Sequence, residues 1–294
     1  MNTYISYAFI AMILWGVSDF SMQYFVRKIG RIATLTWVGI FGTIVLFPFV
    51  KDDLGVIFNI NNLYFLFFLA LLHILSALLL FSAFKHGKLS VVETVMVAEL
   101  PLTIFWGMLF FKEILTLEQS LIVGSILGGI ILASLQKQKS KIKQIFSTNA
   151  WIEKGVFLAM GAVMVISLIN YFTATNARLT TPYLAIWFPW FVFTIFSLAF
   201  LIMKRDVKRA FHNLQKNWIP ILLMCIANCI AWVSFSIAST KINFSLLSAI
   251  SLCYPMIAIF LGVVVNKEKL SKMQYTGAAI ALLCSLLLGA YASL

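Results

Sequence analysis

Three acidic candidates, Asp19, Glu93 and Glu99, and one histidine, His73, stand inside otherwise apolar runs of this 294-residue chain. An aspartate near the centre of a membrane helix costs about 2.5–3.5 kcal/mol on insertion scales, so each such residue needs a cavity, a partner or a task. Trp15, Asp19 and Gln23 recur at every fourth position, and a polar stripe on an apolar helix should face a cavity. There Asp19 could bind a proton or cation beside a solute; alternatively it hydrogen-bonds a neighbouring helix or pairs with Arg27 or Lys28 by snorkelling. Glu99 precedes Pro101 by two residues. The proline lacks an N–H and frees a backbone carbonyl, so polar partners are expected there, and a functional and a structural role fit Glu99 equally. Glu93 differs, because Ser90-x-x-Glu93 is a capping box that opens a helix. His73 could shuttle protons near neutral pH, contact a solute or polar network, or bond one helix to another.

Aromatic and amide residues extend the candidate set. Tyr183, Trp187, Trp190 and Thr194 form one stripe and Asn228, Trp232 and Ser236 another, with Asn170 and Tyr171 in a third run and Tyr254 in a fourth. Aromatic walls with few polar groups suit apolar or aromatic solutes. Tyr and Trp near span ends also serve as interface anchors, the favoured reading for Tyr183, while Trp232 fits cavity lining and lipid-facing packing alike.

The elements that must hold these residues follow from composition. With 62% hydrophobic and 11% charged residues, the chain has too little polar surface for a soluble globule, whose apolar share is nearer half. An all-α integral membrane protein is expected. Ten apolar windows are long enough to cross a bilayer as helices: 4–26, 33–50, 63–84, 91–111, 117–135, 155–175, 182–203, 218–240, 244–265 and 273–292. The first has no basic n-region and is too long for a cleaved signal peptide. Cys225, Cys229, Cys253 and Cys284 lie inside these windows and read as small packing residues rather than a disulfide framework or zinc site.

The net charge of +12 could suggest nucleic acid, but the basic residues lie almost wholly between windows. Eighteen of the 22 Lys and Arg fall in the loops after windows 1, 3, 5, 7 and 9. The positive-inside rule then puts Arg27, Lys28, Arg31, the Lys137–Lys143 run and the Lys204–Lys216 cluster in the cytoplasm, and both termini outside. No nucleic-acid partner is expected. No cofactor is expected either, since a nucleotide loop, a dinucleotide fingerprint and a zinc-protease helix motif are all missing from the sequence.

Shifted by 155 residues, the chain matches itself: Ser90 falls on Ser245, Glu113 on Glu268, Thr116 on Ser271, Gln119 on Gln274, and His73 on Asn228. The last pair keeps a polar side chain but not one that titrates. The expected organisation is a five-helix repeat over 1–135, a basic linker over 136–154 containing QKQKSKIKQ, and a second five-helix repeat over 155–294. Five is odd, so the second half must lie inverted relative to the first. Inverted repeats place a shared cavity near the bilayer midplane, and rocking one bundle against the other gives alternating access. Pro101 with Gly107 and Pro255 with Gly262 are the expected hinges of windows 4 and 9. Thr116 with Gln119 and Ser271 with Gln274 are capping boxes for windows 5 and 10, and Glu113 and Glu268 are expected near the positive ends of those same helices. Gly124 and Gly128, and Gly277, Ala281, Ser285 and Gly289, are small-residue stripes for an internal contact or a dimer, leaving the protein a monomer or a homodimer.

The Trp15-Gly16 pair, the Pro101 to Glu113 and Pro255 to Glu268 spacings, and the Glu-x-Leu-[Thr/Ser] turns resemble those of EamA-type transporters of the drug/metabolite transporter superfamily. The resemblance covers nearly the whole chain. It implies a ten-helix basket whose central cavity is walled mainly by spans 1, 3, 4, 6, 8 and 9, and alternating-access movement of small organic solutes. It also implies cytoplasmic termini, against the charge count, which is preferred here. The expected function is secondary transport, as an exporter, of a small organic metabolite by a multi-pass protein integral to the cell membrane and surrounded by its lipid, with a coupling proton at Asp19 or Glu99. The rivals are a membrane scaffold or receptor and an intramembrane enzyme using Asp19 and Glu99 as an acid pair. No Gly-x-Gly-Asp context or His-based metal site supports the enzyme.

Overall fold

The computed structural model describes residues 3–86, 92, 95–134, 154–266 and 272–291. All secondary structure among the described residues is helical. In chain order the α-helices are α1 Thr3–Ile29, α2 Arg31–Val50, α3 Ile60–His86, α4 Glu99–Phe110, α5 Leu117–Ser134, α6 Lys154–Leu179, α7 Pro182–Met203, α8 Val207–Ser239, α9 Phe244–Ser251, α10 Tyr254–Asn266 and α11 Lys272–Tyr291, with a short 3-10 helix, Leu54–Phe58, between α2 and α3. Six of them, α1, α2, α3, α6, α7 and α8, are long and apolar enough to cross a membrane. Shorter apolar helical stretches at 99–110, 117–132, 244–258 and 275–291 stand where windows 4, 5, 9 and 10 were expected. Large apolar side chains cover the outside: on α3, Phe65, Phe67, Phe68, Leu71 and Leu75 are all exposed. An outer surface of this kind is solvated by lipid, which is as apolar as leucine itself.

Local chemistry sets the ends. Thr181 caps α7 by accepting from Leu184 N at 3.2 Å, and Pro182 takes the first helical position, where a missing N–H costs nothing. α8 is interrupted at Asn217, whose φ of −135° and ψ of 30° separate an amphipathic 207–216 stretch from the apolar part. Pro220 then sits in the first turn of that apolar part. Thr116 and Gln119 form the reciprocal capping box at α5, with Thr116 N donating to Gln119 Oε1 at 3.0 Å and Gln119 N to Thr116 Oγ1 at 3.2 Å. Its counterpart rests on Ser271 and the Gln274 side chain, and the other cap on Ser90 and Glu93. These, with Glu268, lie outside the described residues.

The helices pack as two interlocked halves. α3 lies along α6, and exchanging the halves gives the observed packing of α8 along α1. α4 against α6 becomes α10 against α1, while α2 with α7 and α5 with α11 map onto themselves. A set of contacts that returns to itself on exchange is two-fold, not a linear array. Small residues let the self-mated pairs approach. A Cβ on Gly129 would stand 2.7 Å from Ala281 N and 2.8 Å from Gly277 O, so the α11 stripe serves the internal α5–α11 contact. A Cβ on Gly124 or Gly128, the stripe expected on α5, would meet no described atom within 4 Å: the face that packs is the one carrying Gly129. On α2, Gly39 and Gly42 give the room that Phe193, Thr194 and Trp190 occupy on α7.

Spans 4 and 9 are broken at the same place. A turn at Val97–Ala98 is closed by Ala98 N to Val95 O at 3.1 Å, and its mate at Leu252–Cys253 by Cys253 N to Ile250 O at 3.3 Å. Pro101 and Pro255 each sit in the first turn of the helix that follows. Gly107 is well past the break and meets Phe244 and Ser245 side chains at 2.9 and 2.8 Å from its would-be Cβ, a close-packing position. Gly262 lies within α10.

Candidate functional site

Both breaks open next to a cavity of about 120 Å³ between the halves. α1 supplies Trp15 and Asp19, α3 supplies His73, Ser76 and Ala77, and α4 supplies Glu99; from the second half come Asn170 on α6, Trp190 and Phe193 on α7, Asn228 and Trp232 on α8, and Tyr254 on α10. Six pairs of lining residues are mates under the 155-residue shift: Trp15 and Asn170, Leu35 and Trp190, Val38 and Phe193, His73 and Asn228, Ala77 and Trp232, Glu99 and Tyr254. Mates can share one small cavity only where the axis relating the halves passes through it. The cavity therefore lies on that axis.

Glu99 is the centre of its polar side. Asn170 Nδ2 donates to Oε1 at 2.8 Å, and the Tyr254 hydroxyl donates to Oε2 at 3.0 Å. Glu99 thus bonds its own repeat mate across the axis. Asn170 Nδ2 also reaches Thr103 Oγ1 at 3.3 Å, which ties α4 to α6 a second time. Among the described residues, Asn170 Oδ1 and His73 Nε2 are buried without a hydrogen-bond partner. Such atoms are costly when left unmade, so they stand ready to bond a bound solute or water. On the facing wall Ser18 Oγ donates to Asn228 Oδ1 at 3.4 Å.

The aromatic side is built by edge-to-face contacts. Trp232 lies 5.0 Å from Trp15 and 5.3 Å from His73, both T-shaped, and Trp15 lies 6.0 Å from Tyr254. Trp15 can approach the other half because Gly16 has no Cβ to strike Ile257 and Tyr254 O. The halves are not equivalent. At four mate positions the first half offers Leu35, Val38, Ala77 and Glu99, and the second offers Trp190, Phe193, Trp232 and Tyr254. Two carboxyl side chains, Asp19 and Glu99, line the cavity, and among the described lining residues there is neither Lys nor Arg.

The structure sorts the residues singled out from sequence. Trp15, Asp19, His73, Glu99, Asn170, Trp190, Asn228, Trp232 and Tyr254 come together at the cavity. Gln23 is buried further along α1, outside the lining. Trp187 is also outside it: its Nε1 donates to Thr43 O at 3.0 Å and its ring stacks on Phe191 at 5.1 Å, so it fastens α7 to α2. Tyr183 stacks on Phe49 at 5.2 Å. The buried cysteines Cys225, Cys229 and Cys253 are free thiols. Among the described residues, no three His, Cys, Asp or Glu side chains are placed to hold a metal ion.

Glu113 differs from its expected place. Instead of serving α5, it reaches the second half: Phe244 N donates to Oε1 at 2.7 Å, and Ser245 N and Oγ each donate to Oε2 at 2.8 Å. Lys112, at φ 54°, turns the chain back after α4 and aims the carboxylate at the start of α9. Free N–H groups and the helix dipole favour an anion there. Phe193, Thr103 and Ser18 were also missed, the first because its mate Val38 carries no polar or aromatic signal.

The family model described as the EamA-like transporter family matches residues 2–135 and again residues 153–290. One solved crystal structure of a protein, given no further name, is similar with a TM-score of 0.72 and 16% identity, over 99% of this chain and 99% of its own. That likeness concerns the fold. No curated protein matches the sequence.

Proposed function

The chain belongs to the EamA-like transporter family, and from that premise we propose that it is a secondary transporter exporting a small organic metabolite across the cell membrane by alternating access. The observation that carries the reading is the cavity lined by six pairs of repeat mates. A site on the axis between two inverted halves is bounded equally by both, so a rocking motion exposes it to either side without dismantling it. The broken spans 4 and 9 supply the joints, with Pro101 and Pro255 just past each break. Trp15, Asp19, His73, Glu99, Asn170, Asn228, Trp232 and Tyr254 contact the solute. Trp187 and Gln23 support the wall from behind, and Gly107 and Gly262 accommodate movement within α4 and α10. Asp19 or Glu99 takes the coupling proton.

In this reading ten spans cross the bilayer, and the charge distribution places both termini outside. Reporter fusions at Leu294 test the orientation: phosphatase activity is expected, and cytoplasmic fluorescence would reverse it. Function is tested with purified protein in liposomes loaded with a cell metabolite extract. The expected result is protein-dependent counterflow of a solute without chemical change. Conversion of the solute, or no flux with folded protein, would replace transport by the rival enzyme or scaffold.

A further inference from the structure

The chemistry of the cavity narrows the solute beyond the transport reading, on which this inference rests. Glu99 is 3% exposed, and its two hydrogen-bond donors, Asn170 and Tyr254, are both neutral. A buried carboxylate with only neutral donors keeps most of its charge uncompensated, and buried charges call for a partner of opposite sign or a proton. Asp19 adds a second acid to the same lining, and the described residues that line the cavity include no lysine or arginine. The other titratable groups facing Glu99 are His73 from α3 and the Tyr254 hydroxyl from α10, and the latter is engaged as its donor.

In the same lining, the second half presents the rings of Trp190, Phe193 and Trp232 where the first presents Leu35, Val38 and Ala77. Ring faces attract cations through their quadrupole, and more strongly where water is excluded. The volume of about 120 Å³ is well below the roughly 300–1,000 Å³ of sites for drug-sized ligands. A carboxylate on the solute would meet two acids and, among the described lining residues, no cationic side chain, which disfavours anions and amino-acid zwitterions.

We propose that this cavity binds a small monocationic amine with an apolar body, its nitrogen held by Glu99 and Asp19 between Trp15 and Tyr254, its body lying against Trp190, Phe193 and Trp232. The two halves thus divide the work. The first half reads charge and the second reads the apolar body.

The test uses the full-length protein with phenyltrimethylammonium, a fixed cation that does not cross lipid unaided. It is compared with 2-phenylethanol, phenylalanine and 3-phenylpropionate, by quenching of intrinsic tryptophan fluorescence and by counterflow in liposomes. The cation is expected to bind about tenfold or more tighter than any of the other three. Glu99→Gln should remove that preference, and Asp19→Asn should reduce it. If Glu99→Gln does not fold, the ligand series on the unaltered protein decides alone. Equal or tighter binding of the zwitterion, anion or alcohol overturns the cation assignment, and counterflow of one of them would leave transport itself standing. Preferential binding of the cation without flux supports the assignment and sinks transport. No binding by any of the four overturns it.

Discussion

Two glutamates of the first half reach across to the second, and they are held in opposite ways. Glu113 accepts three hydrogen bonds, two from backbone N–H groups at the start of α9 and one from Ser245 Oγ. Asn243 caps the same helix from its own side, accepting from Ser245 N at 3.0 Å and Leu246 N at 3.2 Å. Nearby, Arg178 donates to Ser239 O at 2.8 Å and lies 4.2 Å over the Phe111 ring. Fixed donors and a helix dipole match the Glu113 charge in place. Glu99 accepts from two neutral side chains and borders open space. A carboxylate matched by the scaffold is a tie between halves; one left partly unmatched at a cavity has charge to offer a proton or solute. The comparison teaches that bridging the halves does not by itself mark a functional acid.

The largest effect that could break this contrast lies at Glu113. Glu113→Ala leaves the first turn of α9 without its anion and is expected to cost about 3 kcal/mol, since bonds to a charged group are worth about 1.5–3 kcal/mol each and are not additive. The thermal midpoint in detergent should fall clearly, and flux should fall only with the amount of folded protein. A variant with an unchanged midpoint would remove the tie from the account.

A smaller effect sharpens the cavity side. Trp232→Leu removes a ring that the solute is proposed to lie against, a contact worth about 0.5–1.5 kcal/mol, together with that ring's contacts at 5.0 Å to Trp15 and 5.3 Å to His73. The half-saturating solute concentration should rise about 5–10-fold, measured as counterflow against concentration. A change in midpoint without a change in half-saturation would make Trp232 a packing residue only. The smallest effect serves as a control. Thr116→Ala breaks the α5 capping box and should cost about 1 kcal/mol, with flux per folded molecule unchanged.

The sequence made some of this contrast legible. Duplication showed where polar type persisted, as at His73 and Asn228, and both line the cavity. It hid Glu99 and Tyr254 as a pair, because an acid and a phenol do not look like mates until they are seen bonded across the axis. Proline marked spans 4 and 9 as broken, but the one-residue slip between Pro101 and Pro255 concealed that the breaks themselves fall on mate positions. Helical periodicity gave Trp187 and Trp190 the same standing. They are three residues apart, and only packing decides that Trp190 fills the room at Gly42 and reaches the cavity while Trp187 bonds Thr43. Glu113 was misplaced because a capping rule looks along the chain, whereas the left-handed turn at Lys112 sends its carboxylate to another helix. The family match and the apolar helices agree with the membrane-protein reading.

The most direct test of the central claim compares Glu99→Gln with Glu113→Gln in one experiment: solute uptake driven by a pH gradient in liposomes, divided by folded protein, beside exchange at high solute concentration. For Glu99→Gln the account predicts a folding stability within about 1 kcal/mol of the unaltered protein, loss of gradient-driven uptake, and exchange that persists. For Glu113→Gln it predicts a lowered midpoint and normal uptake per folded molecule. If Glu99→Gln keeps gradient-driven uptake, the coupling proton does not sit on Glu99 and Asp19 is left to carry it; if both variants lose activity only as they lose folded protein, Glu99 is a structural tie like Glu113.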